Sequence, residues 1–321
     1  MERRKIHVPG FTIGTAEDRK GMTGVTVILA PEGGAAAGVD VRGCAPGTRE
    51  TDLLRPEKTV QKIHAVVLSG GSAFGLESDS GVMRYLSAKG VGFQVGDAVV
   101  PLVCGAVLFD LSIGDSHAYP DLSMGNDAAS RASDTFPVGC YGAGTGASVG
   151  KLLGFEHAMK SGAGYAEFGL PDGLYVGAYV AVNACGEVYD GNHVLAGALA
   201  KDERTIRSSH ELMINGFKRQ VGTNTSIGCV MTNAKLTKAE CTAVSGMAHD
   251  GYARAIRPVH TTMDGDTIFT MASGEKEAPV DTVGYLAEEA VRLAILDAVC
   301  SAESMGGRPS YKDLRGENEE K

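Results

Sequence analysis

Apolar residues in the first third of the chain gather in short runs rather than at helical spacing. Three such runs, 24–30, 36–42 and 64–69, predict strands. The third leads into Gly70-Gly71-Ser72 and then a stretch, 73–89, in which Leu76, Val82, Met83 and Leu86 lie near helical spacing. That order predicts strand, glycine turn, helix. The run 98–113, interrupted by Pro101 and containing Asp110, is shorter than the ~20 residues of a spanning helix and predicts buried strand. Residues 112–146, rich in Asp, Ser, Gly and Asn without a period, predict loop.

Farther along, 177–183 and 187–190 flank Ala184-Cys185-Gly186 and predict a hairpin. From 191 to 221 the chain turns polar and aperiodic, the pattern of a long functional or mobile linker. It leads through Gly222-Thr223-Asn224-Thr225-Ser226 into an apolar β run, 227–232. Thr237 and Glu240 then form a capping-box pair. Val244, Met247, Ala248, Gly251, Ala255 and Ile256 mark one helical face that Pro258 ends. A strand at 267–272, a second helix at 283–299 and a frayed polar tail from Gly306 complete the reading. Strands and helices do not alternate regularly. One α/β domain of stacked sheets with helices outside is therefore expected, rather than a Rossmann sheet.

Composition adds one question. Glycine supplies 44 of 321 residues, roughly twice its average usage of about 7 %. With 43 % hydrophobic and 21 % charged residues the chain is neither disordered nor collagen-like, so the glycines must serve turns or close approaches. A net charge of -9, with basic residues scattered apart from 2–5 and Lys218-Arg219, argues against a nucleic-acid partner. The first ten residues show no apolar signal region and no run is long enough to span a membrane, so a cytoplasmic location is expected. Seven cysteines lacking CxxC spacing fit buried free thiols, and no His/Cys/carboxylate spacing suggests a metal or other cofactor.

Three segments could carry chemistry. Gly144-Thr145-Gly146-Ala147-Ser148-Val149-Gly150-Lys151 departs from a phosphate loop, because Thr145 occupies the first glycine position and Leu152 follows the lysine. It fits either a tight turn or a loop whose N–H groups approach a substrate beside the Lys151 charge. In Asn224-Thr225-Ser226, a threonine hydroxyl lacks a base unless the Asn224–Thr225 bond breaks and frees its own α-amine. Such an amine has a pKa near about 8. Asp264-Gly265-Asp266 is either a turn or a pair of carboxylates facing one site. His249 and His260 are further potential bases.

Taken together, these segments resemble the L-aminopeptidase/D-alanine-esterase and β-peptidyl aminopeptidase family, which includes the nylon-oligomer hydrolase. The resemblance runs from 67–76 through Gly144–Lys151, Val182-Asn183-Ala184, Asn224-Thr225-Ser226-Ile227-Gly228 and 247–251 to Asp264-Gly265-Asp266. It implies an αββα sandwich and an N-terminal-nucleophile hydrolase made as a precursor. That precursor would cut itself between Asn224 and Thr225 into chains 1–224 and 225–321, assembled as a homo-oligomer of αβ units. It implies Thr225 as nucleophile, Asp264 and Asp266 as its carboxylate partners, and Lys151 and Asn183 as accessory groups, Asn183 as an oxyanion donor. Gly71, Ser72, Gly144, Thr145, Gly146 and Thr262 would line the substrate, a small peptide, amide or ester. The serine nucleophile and Ser/Glu pair of the aminopeptidase branch are replaced here by threonine and aspartates. Thr262 is then a counterpart of the second serine, and the choice of Thr225 over Ser226 follows the family cleavage position. An ornithine-acetyltransferase-like acyl transferase and an unprocessed, non-catalytic homologue are the alternatives. The glycine loops are expected to converge around Thr225.

Overall fold

A computed structural model describes residues 1–216 and 224–316. Lys218, Arg219, Gly222 and Thr223 of the sequence reading, and the tail beyond 316, lie outside the described residues. Two sheets carry the fold. Their strands, in chain order, are β1 (Thr12–Asp18), β2 (Thr23–Leu29), β3 (Ala35–Val41), β4 (Gly47–Arg49), β5 (Lys62–Ile63) and β6 (Ala65–Ser69). There follow β7 (Val103–Val107), β8 (Ala163–Gly169), β9 (Tyr175–Ala181), β10 (Ile227–Ala234) and β11 (Thr267–Lys276). The major helices are α1 (Glu77–Ala88), α2 (Leu122–Ser130), α3 (Lys238–Ala255) and α4 (Val280–Ser301).

The first sheet has the order β1-β2-β6-β7-β4 and the second β8-β9-β10-β11-β3-β5. Each holds one parallel pair, β6 with β7 and β10 with β11, among antiparallel neighbours. Side-chain alternation sorts the residues into three cores. Val66 and Leu68 of β6 face Ile227, Cys229, Met231 and Phe269 between the sheets. Ala65 and Val67 turn the other way, onto Val82 and Leu86 of α1 and Ala128 and Ala129 of α2. Val230 likewise faces Val244, Ala248, Ala290 and Ala294 of α3 and α4. Covered on both faces, these strands read as continuous apolar runs. The layering is α, β, β, α.

Strands expected at 24–30, 36–42, 64–69, 227–232 and 267–272 are present within a few residues. α3 begins at the capping box, with the Thr237 N–H donating to Glu240 Oε2 at 2.7 Å and the Glu240 N–H to Thr237 Oγ1 at 3.3 Å. Four expectations need correction. The loop reading of 112–146 missed α2, capped by Asp121 Oδ1 on the Met124 N–H at 2.8 Å. Its short apolar face escapes a periodicity search because Gly125 forms the contact: a Cβ there would lie 2.0 Å from the Ser78 carbonyl of α1. The run 98–113 is buried strand only over Val103–Val107, since Ala98–Val100 pairs with Phe93–Val95 in a partly exposed hairpin. The hairpin expected from 177–183 and 187–190 does not form. β9 pairs with β8 and β10, while Glu187–Asp190 pairs with His193–Ala196 and Ile256–Arg257. The tail is not frayed throughout, for Tyr311–Gly316 is helical and Tyr311 packs on the α3/α4 core. Among the described residues no helix is long and apolar enough to cross a membrane.

One carboxylate is trapped in the α1 layer. Asp79 is buried with neither oxygen hydrogen-bonded among the described residues, and burial pushes its pKa up to about 8 despite the opposing charge of Arg49. It therefore stays protonated in the folded chain through a range, above about 4, where the unfolded chain ionises it. The folded state holds the extra proton, so stability falls as pH rises through that window, by up to about 1.4 kcal/mol per pH unit for one group. Asp79→Asn should flatten this fall, as urea denaturation at pH 5 and pH 8 would show. An unchanged difference between the two pH values would refute the assignment.

Candidate active site

The ends of β10 and β11 meet in parallel, and the residues preceding each lie side by side. Asn224 forms a bridge with Asp264, the Asn224 N–H donating to the Met263 carbonyl at 3.3 Å. The Gly265 N–H donates to the Asn224 carbonyl at 3.1 Å. The Thr225 hydroxyl donates to that same carbonyl, and the Thr225 N–H donates to the Asn183 carbonyl at 3.1 Å. Gly265 is required by space: a Cβ there would lie 2.5 Å from the Ala45 carbonyl and 2.9 Å from Thr225 Oγ1. Asn224 and Thr225 are each only 4 % exposed, so the peptide between them is enclosed.

Asn183 ties this peptide to the 148–151 segment. Lys151 Nζ donates to its carbonyl at 2.9 Å and to its Oδ1 at 2.6 Å, and Oδ1 also accepts the Ser148 N–H at 3.1 Å. Its Nδ2 donates to the Phe109 carbonyl at 2.9 Å. The side-chain amide is thus occupied away from the Asn224 carbonyl, which takes its backbone donor from Gly265 instead. Lys151 is buried, and desolvation lowers its pKa to about 7 against the pull of Cys185, Asp264 and Asp110.

The two carboxylates act through neighbours in this continuous chain. Asp264 accepts from the Thr261 N–H at 3.1 Å and from the Thr261 hydroxyl, with the Cys185 N–H longer at 3.4 Å. Burial first, then the adjacent Asp266 charge, raise its pKa to about 6. Asp266 Oδ1 accepts the Ser226 N–H at 2.8 Å, and its Oδ2 accepts from the N–H and Nδ1 of His260 at 3.1 and 2.9 Å. The Asp266 carboxylate thereby grips the backbone just after Thr225, whereas the Asp264 carboxylate holds Thr261 and Cys185. Thr261, not the exposed Thr262, is the hydroxyl on Asp264. Of the remaining potential base, His249, the Nε2 lies 3.0 Å from the Asp40 carbonyl, behind His260.

The glycine loops converge only in part. Gly70 and Gly146 close around Asp110, which accepts from the Gly71 N–H at 2.7 Å and Thr23 Oγ1 at 2.8 Å. Asp110 follows Phe109, the acceptor for Asn183, so these loops buttress the Asn183 knot from below. Gly71 and Ser72 share a left-handed turn, with φ of +77° and +53°. Gly144, Thr145 and Gly146 are buried. Lys160 Nζ takes the Gly144 and Ala147 carbonyls at 3.0 and 2.8 Å, and Thr145 Oγ1 takes the Gly142 carbonyl at 2.7 Å. That loop packs as a structural turn rather than an open substrate wall, and Gly150 packs against Gly197 and Ala198. Sequence reasoning missed the Gly265 N–H, Thr261 and the His260 grip on Asp266. Only the DGD turn hinted at the first.

A family model described as peptidase family S58 matches residues 6–312. An uncharacterized aminopeptidase of Mycobacterium leprae is 42 % identical over 316 residues, covering 90 % of this chain and 85 % of its own. A 6-aminohexanoate-oligomer endohydrolase of Agromyces sp. is 32 % identical over 311 residues, covering 94 % and 83 %. Among solved structures, the L-aminopeptidase D-Ala-esterase/amidase of Ochrobactrum anthropi, described as a variant of the Ntn-hydrolase fold, superposes with a TM-score of 0.70. Its sequence identity is 18 %, with 98 % of this chain and 92 % of that chain covered. The layered sheets, the matched residues and these likenesses agree: the chain belongs to peptidase family S58 and is a hydrolase with the Ntn-hydrolase fold.

Proposed function

We propose that this chain is a self-processing aminopeptidase or amidase whose nucleophile is Thr225. The observation that carries the reading is the arrangement at one carbonyl. The Thr225 hydroxyl lies against the Asn224 carbonyl, and the Gly265 N–H already donates to that oxygen. Ser226 offers no rival, because its buried hydroxyl has no hydrogen-bond partner among the described residues. In maturation Thr225 Oγ adds to the Asn224 carbonyl carbon, and the hydroxyl proton passes to the departing Thr225 nitrogen as the C–N bond breaks. Water then hydrolyses the resulting ester, leaving an Asn224 carboxylate and a free Thr225 amine. The Gly265 N–H holds the developing oxyanion, where one such donor is worth about 3–4 kcal/mol.

Turnover repeats the geometry. A substrate acyl group takes the place Asn224 held, and Thr225 Oγ attacks its carbonyl while the α-amine accepts the proton. The amine hands that proton to the leaving amine, and water cleaves the acyl ester. The freed amine stays on the Asn183 carbonyl, which it shares with Lys151 Nζ. Any positive charge that Lys151 carries there disfavours protonation of the amine, which is thereby left free to take the Thr225 hydroxyl proton. The named relatives, an aminopeptidase and an oligomer endohydrolase, support a small peptide or amide as substrate.

Three outcomes are expected. Denaturing electrophoresis with mass spectrometry should show two fragments meeting at Asn224/Thr225, abolished together with hydrolysis of aminoacyl p-nitroanilides in Thr225→Ala but not in Ser226→Ala. An intact 33.3 kDa chain that hydrolyses such amides would refute the reading. Gly265→Ala, which crowds Thr225 Oγ1, should slow self-cleavage by about tenfold or more, read as precursor remaining over time. Because Asp264 ionises near pH 6, self-cleavage should rise between about pH 5 and pH 7. Residual cleavage in Asp264→Asn should lose that limb, and an unshifted profile would assign it elsewhere.

A further inference from the structure

His260 sits on the far side of Asp266 from the nucleophile, in a left-handed conformation with φ of +54° that non-glycine residues adopt uncommonly and that His, like Asn and Asp, tolerates better than most. This conformation aims two donors of one residue at one oxygen: its backbone N–H and its Nδ1 lie 3.1 and 2.9 Å from Asp266 Oδ2. The other carboxylate oxygen accepts the Ser226 N–H at 2.8 Å, one residue beyond Thr225. A line of contacts thus runs from the imidazole through Asp266 to the peptide that carries the nucleophile. We infer that His260 is a positioning residue: its Nδ1–H holds the Asp266 carboxylate in the orientation that fixes Ser226, and through it Thr225, for both self-cleavage and turnover. The inference rests on Thr225 being the nucleophile.

The surroundings select the tautomer. Nδ1 faces a carboxylate oxygen and must carry a proton to bond it. At the other end of the ring, Nε2 is buried with no partner among the described residues, so no competing bond draws the proton there. His249 packs edge-on at 4.8 Å between ring centroids and Tyr252 lies at 6.1 Å. The Tyr252 hydroxyl and His249 Nδ1 are likewise unpartnered. His249 Nε2 meets the Asp40 carbonyl, an acceptor only, so its proton is on Nε2. Burial also keeps His249 neutral, with its pKa lowered to about 4. The charged groups that bear on this cluster are Asp266 and, through His249, Asp40 and Arg42, while Asp264 bears on Asp266. Nothing else among the contacts of His260 orients its ring as Asp266 does.

Two substitutions separate the donor from the ring. Asn tolerates positive φ and carries an amide N–H near the position of Nδ1, whereas Gly relieves φ and carries no donor. In the full chain, His260→Asn should keep self-cleavage within about threefold of wild type, while His260→Gly loses about tenfold or more in kcat with KM little changed. Equal activity in both variants, or equal loss in both, overturns the inference. Long-range 15N NMR of the imidazoles, assigned by difference with His260→Asn, supplies a readout independent of activity. His260 should be protonated at Nδ1, with a shift that moves in Asp266→Asn, and an Nε2–H tautomer overturns the inference. If the wild-type chain neither cleaves nor hydrolyses amides, the Thr225 reading fails, and the NMR result alone decides whether His260 holds Asp266.

Discussion

The Asn183 carbonyl is the point on which the site hangs. It accepts both the Thr225 N–H and the Lys151 ammonium, while the Asn183 side chain takes up Lys151, Ser148 and Phe109. Asn183, Thr225, Lys151 and Ser148 are all buried, so each partner lost among them would leave a buried polar group unsatisfied. One residue after β9 therefore fixes the start of β10, the glycine loop before it in sequence and the end of the first sheet. Where an exposed asparagine would tolerate exchange, this one holds three segments of chain in register.

Around that knot, charge is balanced rather than avoided. Lys151, Asp264 and Asp266 are buried together, Lys151 pushed down and Asp264 pushed up by the same loss of water. Buried ions of opposite sign soften each other's desolvation, and backbone N–H groups absorb the remaining lone pairs. Asp266 takes two backbone N–H groups and an imidazole, so both of its oxygens face donors where no solvent reaches. Asp79 shows the contrary case, a carboxylate buried without such donors and kept neutral.

The four-layer packing explains the abundance of glycine more than the site does. Gly125 lets α2 touch α1, and Gly251 lets α3 touch α4, where a Cβ would stand 2.4 Å from the Glu288 carbonyl. Gly144 and Gly146, expected at the substrate, are spent on burying a turn under Asp110 and Lys160. Among the described glycines, Gly265 is the one whose Cβ would meet the Thr225 hydroxyl. Flexibility is a poor description of Gly125, Gly144, Gly146, Gly251 and Gly265; at each of them backbone of another segment occupies the place of a side chain.

Apolar runs and caps determined by sequence alone that strands lie near 24–30, 36–42, 64–69, 227–232 and 267–272 and that helices follow Thr237 and occupy 283–299. Such features are local, since strand burial and helix capping leave periodic marks within a few residues. The motif order also marked Thr225, Asp264, Asp266, Asn183 and Lys151 as one group. What the sequence left open was how they touch. α2 hid behind Gly125 because its contact is made by an absent side chain. The roles of the Gly265 N–H, Thr261 and His260 hid because backbone groups and second neighbours have no signature in residue type. Those assignments came from the parallel pairing of β10 with β11, which sets residues some 40 positions apart edge to edge. Long-range register of that kind is decided by the packing of whole sheets, and no local pattern records it.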